Sequence, residues 1–450
     1  MDIKTLIDTR AMTRYQWFII AIATFLNAMD GYDILAMAFT ATSVAAEFGL
    51  SGSQLGLLIS LGFIGMGIGS LSFGPLGDRV GRRPILLAAL TLDGIGLVWS
   101  GLAGSATELG IARLLTGIGV GGVLTVVTVI TSEYSNKRNR GMAISIYAAG
   151  YGVGATLGGL LAAQLIPTTG WRGVFLAGAV LSVLGIAAVW AFIPESFDYL
   201  RTRGELTHAR QIAVRLGIRE EITFPESPDT PASLDFPVPG AARRGLPAVL
   251  GPAFLRNTLR LWGAFALITI GFQVASSWTP KLLEDAGMSA QQSIVGGLLL
   301  TLGGSFGSLI YGWLTTRFSA QGTLIAFSLG SAVLLVGFIS SIPLPALAFT
   351  LGVLTGMLLN GCIAGLYSIA PQIYPAGMRT TGVGVALGVG RVGAILAPLG
   401  VGVLIDAGIS PLHIYLAVGC IMILGATTLR GITLHRDPTV VITEPALVEK

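Results

Sequence analysis

The stretch WFIIAIATFLNAMDGYDILAMAFTAT, residues 17–42, decides how this chain folds. It is an apolar run long enough to cross a bilayer, which takes about 20 residues of helix. Asp30 and Asp33 interrupt the run, and an ionised Asp at the centre of a membrane helix costs about 2.5 kcal/mol or more. Residues three apart share a helix face. We therefore expect both carboxyl groups to face the inside of a helix bundle and to meet an ionic partner there.

The composition of the 450-residue chain is typical of an integral membrane protein. Hydrophobic residues make up 53% and charged residues 11% of it, whereas about a quarter of the residues of a soluble domain are charged. The 63 glycines indicate close helix contacts, because small residues let backbones approach inside a membrane. Cys362 and Cys420 both lie in apolar runs, which indicates neither a metal site nor a disulfide framework. The net charge of +4 is no indication of nucleic-acid binding.

Twelve apolar runs predict an all-α membrane protein. The predicted spans are 17–42, 53–73, 84–104, 108–132, 141–166, 172–193, 258–279, 291–315, 321–341, 345–370, 380–404 and 411–430. A long polar segment with several prolines, which prevent regular structure, separates the sixth from the seventh. The sequence thus predicts a six-helix bundle over 1–194, a linker over 195–257, and a second six-helix bundle with a tail over 258–450.

The lysines and arginines outside the spans predict the orientation. Nearly all of them lie on the side that the two termini and the linker share, whereas the opposite side carries Arg172 and Lys281. Basic loops stay on the cytoplasmic side of a membrane. We therefore expect an inner-membrane protein with both termini in the cytoplasm, and the first apolar run, which no signal cleavage site follows, to remain as a span.

The two halves repeat their loop motifs. Residues 74–83, GPLGDRVGRR, follow span 2, and residues 312–321, GWLTTRFSAQ, follow span 8 at the corresponding place. In the same way, residues 133–140 after span 4 correspond to residues 372–379 after span 10. Such a repeat implies two bundles related by an axis along the membrane normal, with a substrate site between them.

These motifs resemble those of a known family. Residues 74–83 are similar to the loop 2–3 signature of the major facilitator superfamily, residues 113–122 (RLLTGIGVGG) to its span 4 signature, and Pro194-Glu195-Ser196 to its span 6 ending. Asp30-Gly-x-Asp33 and Gly388-x-Gly-Arg391-x-Gly393 resemble the aromatic acid:proton symporters within it. The resemblance covers essentially the whole chain. It implies the major facilitator fold and a proton-coupled importer, working by alternating access, of benzoate, hydroxybenzoates, gentisate, protocatechuate, phenylpropanoids or similar acids.

A proton carrier in the predicted spans must be a carboxyl group, because no histidine lies in any of them. The charged residues inside the spans are Asp30, Asp33, Asp93, Arg113 and Arg391. Counting along span 4 puts Arg113 about 8 Å deep, at the depth of Asp30 and Asp33, which predicts an ion pair. Desolvation favours the neutral carboxyl and the guanidinium the ionised one, so movement of Arg113 could load or release a proton. The alternative is a purely structural pair; Asp93 is expected to cap a polar network.

Arg391 is the candidate anchor for a substrate carboxylate. It lies about 17 Å from the cytoplasmic end of span 11, near mid-membrane, and its counterpart in the repeat is Gly152, so the charge breaks the symmetry. A guanidinium matches a carboxylate with two parallel hydrogen bonds. The alternative is a pair with a buried acid, but the second half has none inside a span, since Asp406 lies at an end. Other substrate-site candidates, chosen by depth, are Tyr32, Tyr147, Tyr151, Phe272, Gln273, Asn360 and Tyr367.

The basic loops predict a cytoplasmic gate that locks the two bundles together in the outward-facing state. Its expected residues are Asp78, Arg79, Arg82, Arg83, Glu133 and Arg140. One alternative is that the arginines merely bind anionic headgroups. For Glu133 and Arg140 the alternative is a solvated helix-end pair that contributes under about 1 kcal/mol.

Enzymes and receptors are excluded by what the sequence lacks. It has no nucleophile–base pair, phosphate-binding loop, metal cluster or large extramembrane domain. We expect no cofactor besides the coupling proton, and as partners the aromatic acid, the proton and the lipid bilayer, with the monomer as the functional unit. The alternatives are a major facilitator transporter of another organic acid or a sugar, and a proton-driven exporter. No residue chooses among the aromatic acids, or between Asp30 and Asp33 as the proton carrier.

Overall fold

The structure is a computed structural model that describes residues 3–203, 205–216, 249–374 and 376–433. Eleven of its helices are long and apolar enough to cross a membrane. The longest consists of two helices joined at Gly170, whose positive φ of 72° breaks the helix, so it supplies two spans. The prediction of an all-α fold with twelve spans is therefore confirmed.

We number the spans in chain order. Span 1 is Arg14–Phe48, span 2 Gly52–Val80, span 3 Arg82–Leu102, span 4 Ala106–Glu133, spans 5 and 6 the two arms of Arg140–Phe192, span 7 Leu255–Asp285, span 8 Ala290–Thr315, span 9 Ala320–Ser340, span 10 Pro345–Ile369, span 11 Ala376–Asp406 and span 12 Pro411–Leu429. Shorter helices are Ile3–Thr9, Phe197–Arg203 and Leu206–Arg215, and a 3₁₀ turn covers Ala370–Gln372.

Local signals fix the ends of span 1 and thereby the depth of its acids. Thr13 and Gln16 form a capping box, in which Gln16 Oε1 accepts from the N–H of Thr13 at 2.8 Å and Thr13 Oγ1 from the N–H of Gln16 at 3.3 Å. Gly49, with a φ of 61°, ends the helix in the left-handed conformation. At 1.5 Å per residue, the 35-residue helix is about 50 Å long. Asp30 and Asp33 therefore lie near its middle.

Glycines set the closest helix contacts, and the contacts repeat between the halves. A Cβ on Gly117 of span 4 would collide with the carbonyl of Gly62 in span 2, and one on Gly356 of span 10 with the carbonyl of Leu300 in span 8. Further glycines pressed against a neighbouring backbone in these pairs are Gly65, Gly69, Gly303 and Gly307. Spans 2 and 4 thus pack as spans 8 and 10 do, with backbones too close for a side chain.

The two halves contact each other on one face of the protein. We call the face with helix Ile3–Thr9 and the loops after spans 2 and 4 the terminal face, and the opposite one the far face. On the far face, Asp406 at the end of span 11 accepts hydrogen bonds from the N–H groups of Gly52, at 2.5 Å, and Ser53, at 2.9 Å, at the start of span 2. Gly56 packs against the backbone of Pro398 one turn further in. The far ends of the halves are therefore tied together.

Toward the terminal face the same two spans leave open space. Arg391 Nη1 donates to Ser70 Oγ at 2.6 Å, which joins the halves near mid-span. Closer to the terminal face, a Cβ on Gly384 or Gly388 of span 11 would meet no atom within 4 Å. The protein is thus closed at the far face and open toward the terminal face.

The predicted linker begins as ordered chain that belongs to the first half. Leu200 and Ile212, from its two short helices, are buried in the same core as Leu6 of the N-terminal helix. At the other end of the linker, the carbonyl of Val249 accepts from Thr258 Oγ1 at 3.0 Å. The segments 217–248 and 434–450 lie outside the described residues, so the division at 194 and 258 stays a prediction.

Candidate functional site

Three carboxyl groups and one guanidinium are buried together in the first half. Asp30 and Asp33 of span 1, Asp93 of span 3 and Arg113 of span 4 are each at most 5% exposed. Among the described residues, no other Asp, Glu, Lys or Arg is buried to this degree. A buried charge must be paired or neutralised. Because the acids outnumber the base, this cluster has to hold protons.

Arg113 reaches span 1 as predicted, but through the main chain. Its Nη2 donates to the carbonyl oxygen of Asp33 at 3.0 Å, and its Cζ lies 5.6 Å from the centre of the Phe175 ring. Its Nε and Nη1 groups have no hydrogen-bond partner among the described residues. Arg113 therefore approaches the acids with two donors still to be satisfied.

Asp93 lies at the side of Asp33. The hydroxyl of Ser182 in span 6 donates to Asp93 Oδ2 at 2.7 Å. Ser182 also donates to the carbonyl of Gly178 one turn back, and a Cβ on Gly178 would lie 3.2 Å from Asp33 Oδ1, so the two carboxyl groups lie against the same turn of span 6. The expectation that Asp93 sits in a polar network is met, but its neighbour was not foreseen, since nothing in the sequence indicates which faces of spans 1 and 3 meet.

Asp30 faces span 5 rather than Arg113. The phenol groups of Tyr147 and Tyr151 are its electrostatic neighbours. Its Oδ2 accepts no hydrogen bond from the described residues. Asp93 is thus an electrostatic neighbour of both acids of span 1, whereas Arg113 lies beside Asp33 and the two tyrosines lie beside Asp30.

A cavity of about 330 Å³ opens beside the acid cluster, between spans 1, 2 and 4. Its polar lining consists of Asp33, Arg113 and Thr116, and its other walls are apolar, such as Phe63 and Met66. Asp33 and Arg113 therefore border a space between these three spans.

A second cavity, of about 370 Å³, lies between the two halves. Three of the predicted substrate residues line it, namely Tyr151 of span 5, Phe272 of span 7 and Asn360 of span 10. Ser276 and Thr301 line it as well. These two hydroxyls escaped prediction because they donate to carbonyls one turn back, as most hydroxyls in membrane helices do.

Arg391, the predicted substrate anchor, is not among the residues that line this central cavity. It is exposed and holds Ser70 of the other half. Tyr367 of span 10 is its electrostatic neighbour and is 55% exposed. Tyr367 and Asn360 are seven residues apart, so they share a face of span 10 about 10 Å apart. One continuous face thus leads from the cavity to Arg391 and the terminal face.

Besides Arg391 and Tyr367, three more of the predicted substrate residues do not line the central cavity. The hydroxyl of Tyr32 donates to the carbonyl of Val174 at 2.5 Å, so its ring points into the packing of spans 1, 5 and 6. Tyr147 accepts from Thr128 Oγ1 at 3.1 Å, inside the first half. Gln273 donates to Ser277 of its own helix at 2.7 Å. Depth alone cannot give the direction of a side chain on a helix that is buried on nearly every side.

The residues of the predicted gate hold the first half together at the terminal face. Arg82 forms an ion pair with Glu133. Glu195 Oε1 accepts from the N–H groups of Arg82, at 2.7 Å, and Arg83, at 3.2 Å, and so caps the start of span 3. Burial raises the pKa of Tyr134, whose hydroxyl donates to the carbonyl of Glu195 at 2.6 Å. In the sequence, Glu195 stands out only as part of Pro194-Glu195-Ser196, the segment that resembles the span 6 ending of the superfamily; its contacts with span 3 are not predicted.

The remaining gate residues show the same pattern. Arg140 Nη2 donates to Asp8 Oδ1 at 2.6 Å, beneath the same half. The carbonyl of Arg79 accepts from Arg203 Nη2 at 3.1 Å. The side chain of Asp78 lies outside the described residues. These contacts connect elements of one half. A lock between the two bundles is expected in the outward-facing state, whereas the halves are apart at this face here, so the gate stays a prediction.

Known proteins resemble the chain over most of its length. Residues 20–398 match the Major Facilitator Superfamily. The gallate transporter of Pseudomonas putida is 32% identical over 420 residues, which cover 91% of this chain and 90% of that protein. The 4-hydroxybenzoate transporter of Pseudomonas aeruginosa is 31% identical over 446 residues, which cover 97% of both.

A solved structure supports the fold. The D-xylose-proton symporter superposes with a TM-score of 0.71 at 18% identity, over 93% of this chain and 98% of that one. At this identity the likeness concerns the fold alone, and the match agrees with the twelve-span architecture. The chain is therefore a transporter of the major facilitator superfamily, in its aromatic acid:proton symporter family.

Proposed function

We propose that the protein imports small aromatic carboxylates together with protons, by alternating access. The observation that carries this proposal is the separation of its ionic groups. The acids and Arg113 are buried inside the first half, whereas Arg391 is exposed on span 11 and contacts Ser70 of the first half. A buried acid cluster suits a proton, and an accessible guanidinium suits a carboxylate.

The lining of the central cavity fits the chemistry of such a substrate. Phe272 and Tyr151 offer flat walls for a ring, while Asn360, Ser276 and Thr301 offer hydrogen bonds for ring hydroxyls. The names of the two relatives, a gallate and a 4-hydroxybenzoate transporter, favour hydroxylated rings.

In the proposed cycle, the substrate anion binds to Arg391 and a proton binds to the acids of span 1. Binding of both the substrate and the proton allows the far face to close. In the present structure that face is closed by the contact between Asp406 and Gly52. Arg391, which holds Ser70 in this state, then faces the terminal side, where the substrate leaves.

The proposed location is the inner membrane, with the terminal face in the cytoplasm. Nearly all lysines and arginines outside the spans lie on that face or in the segments connected to it, which supports this orientation. The open side would then be the cytoplasmic one. We further propose that the monomer is the functional unit and that the proton is the coupling ion, without an organic cofactor.

Uptake of radiolabelled 4-hydroxybenzoate and gallate into proteoliposomes tests this proposal. An inward proton gradient should drive accumulation that a protonophore abolishes. Accumulation that ignores the proton gradient would contradict the coupling. Failure of every aromatic acid, with transport of a sugar or an aliphatic acid instead, would contradict the substrate class, and efflux driven by an inward proton gradient would show an exporter.

A further inference from the structure

We propose that Asp33 and Asp93 hold one proton between them, so that the proton site is a carboxyl pair that bridges spans 1 and 3. Asp93 then becomes a second proton-carrying residue, besides the acids of span 1. The existence of the pair is independent of the proposed function. The role of the pair in proton coupling rests on the proposed function.

The chemistry of two adjacent carboxyl groups requires a proton. Ionised carboxylates only accept hydrogen bonds, so a hydrogen bond between two carboxyl groups needs a proton on one of them. Asp33 Oδ1 and Asp93 Oδ2 lie against the same turn of span 6, at Gly178 and Ser182, and the two carboxyl groups are electrostatic neighbours. Two carboxylates that share a site cannot both ionise readily, and their protons belong to the pair.

The surroundings close the pair off from water on two sides. A Cβ on Gly178 of span 6 would lie 3.2 Å from Oδ1 of Asp33, and one on Gly119 of span 4 would lie 2.7 Å from Cβ of Asp93. Ser182 donates to Asp93 Oδ2 at 2.7 Å and fixes that carboxyl group. The opening that remains is the cavity lined by Asp33.

Because charged groups surround the pair, loss of its proton changes the forces between the spans. Asp30 on span 1 and Arg113 on span 4 face the pair, and Tyr32, the other titratable neighbour of Asp33, donates its hydroxyl to a carbonyl. When the proton leaves, the pair goes from one negative charge to two. The Nε and Nη1 groups of Arg113 have no hydrogen-bond partner in the described part of the chain and can donate to this charge. Proton release would therefore draw span 4 toward spans 1 and 3.

Infrared difference spectra between acidic and alkaline pH test the pair directly. They are recorded on the purified full-length protein in lipid, without substrate, and follow the C=O band of protonated carboxyl groups. We expect Asp33→Asn and Asp93→Asn to remove the same band. Asp30→Asn is the comparison variant, since it removes an equally buried acid of span 1; because Asp30 faces the pair, it should change the pH at which the band appears but leave the band in place.

The outcomes separate the alternatives. If the band survives in Asp93→Asn, the proton belongs to Asp33 alone and the proposal is wrong. Ser182→Ala keeps both carboxyl groups and should shift the band, because it removes the donor to Asp93; an unshifted band would contradict the pair even if Asp93→Asn failed to fold.

Transport provides the second readout. In proteoliposomes, Asp93→Asn should lose proton-driven accumulation and retain exchange of labelled for unlabelled substrate. Wild-type protein that transports no aromatic acid would refute the proposed function but leave the infrared result intact. Full accumulation by Asp93→Asn would refute the role of Asp93 in coupling.

Discussion

The two halves of the protein share a scaffold but not a chemistry. Gly117 in the first half and Gly356 in the second occupy corresponding positions, and each is pressed against a neighbouring backbone. The arginines break the correspondence, because Arg113 corresponds to Gly352 and Arg391 to Gly152. The first half buries its charges, whereas the described spans of the second half carry one mid-span charge, which is exposed. A duplicated frame thus supports two different ionic sites.

The largest expected effect tests the shared scaffold. Gly117→Val and Gly356→Val should both strongly reduce the yield and heat stability of the folded protein, since overpacking against a rigid backbone costs about 1–3 kcal/mol or more. Gly67→Val is the control, because a Cβ there meets nothing within 4 Å. Melting of the purified variants in detergent measures the effect. A stable Gly356→Val beside an unfolded Gly117→Val would show that the halves are not equivalent in packing.

The next effect tests the substrate site of the second half. Arg391→Ala should weaken substrate binding about 10- to 100-fold, since hydrogen bonds to charged groups contribute about 1.5–3 kcal/mol and 1.4 kcal/mol is a factor of ten. Arg391→Lys should recover part of the loss, because it keeps the charge without the planar fork. Equilibrium binding of labelled 4-hydroxybenzoate measures both. Unchanged binding in Arg391→Ala would remove Arg391 from the site.

A smaller effect tests the contact between the halves. Asp406→Asn keeps the shape but weakens the charge-assisted bonds to Gly52 and Ser53, so it should shift the population toward opening at the far face. Spin labels at the far ends of spans 2 and 11 should report a larger share of long distances. Asp285→Asn is the control, since Asp285 is paired within its own helix, with Lys281. Equal shifts in both variants would contradict a specific role for Asp406.

The fold could be predicted because its signals are long and local. Apolar runs, basic loops and the repeated loop motif each predict the same twelve spans. The many glycines indicate the close helix contacts. Asn360, which lines the central cavity, could be predicted because an amide at that depth in an apolar span is unusual. Asp33 and Arg113 could be paired in the same way, by depth.

The contacts that could not be predicted depend on the direction in which a side chain points from its helix, or on a main-chain group as the partner. Tyr32 has the right depth but the opposite direction, and a buried helix without a polar face gives no signal for it. Asp93 meets Asp33 across two spans that are distant in sequence. Glu195 and Asp406 each bind the N–H groups at the start of another helix, and a main-chain partner leaves no mark in the sequence.

The most direct test of the central claim, that the halves divide proton and substrate between them, compares two transport modes in the same proteoliposomes. One is accumulation of labelled 4-hydroxybenzoate driven by a proton gradient, and the other is exchange of labelled for unlabelled substrate without a gradient. We predict that Asp33→Asn loses accumulation and retains exchange, whereas Arg391→Ala loses both. Accumulation by Asp33→Asn, or exchange at the wild-type rate by Arg391→Ala, would contradict the division.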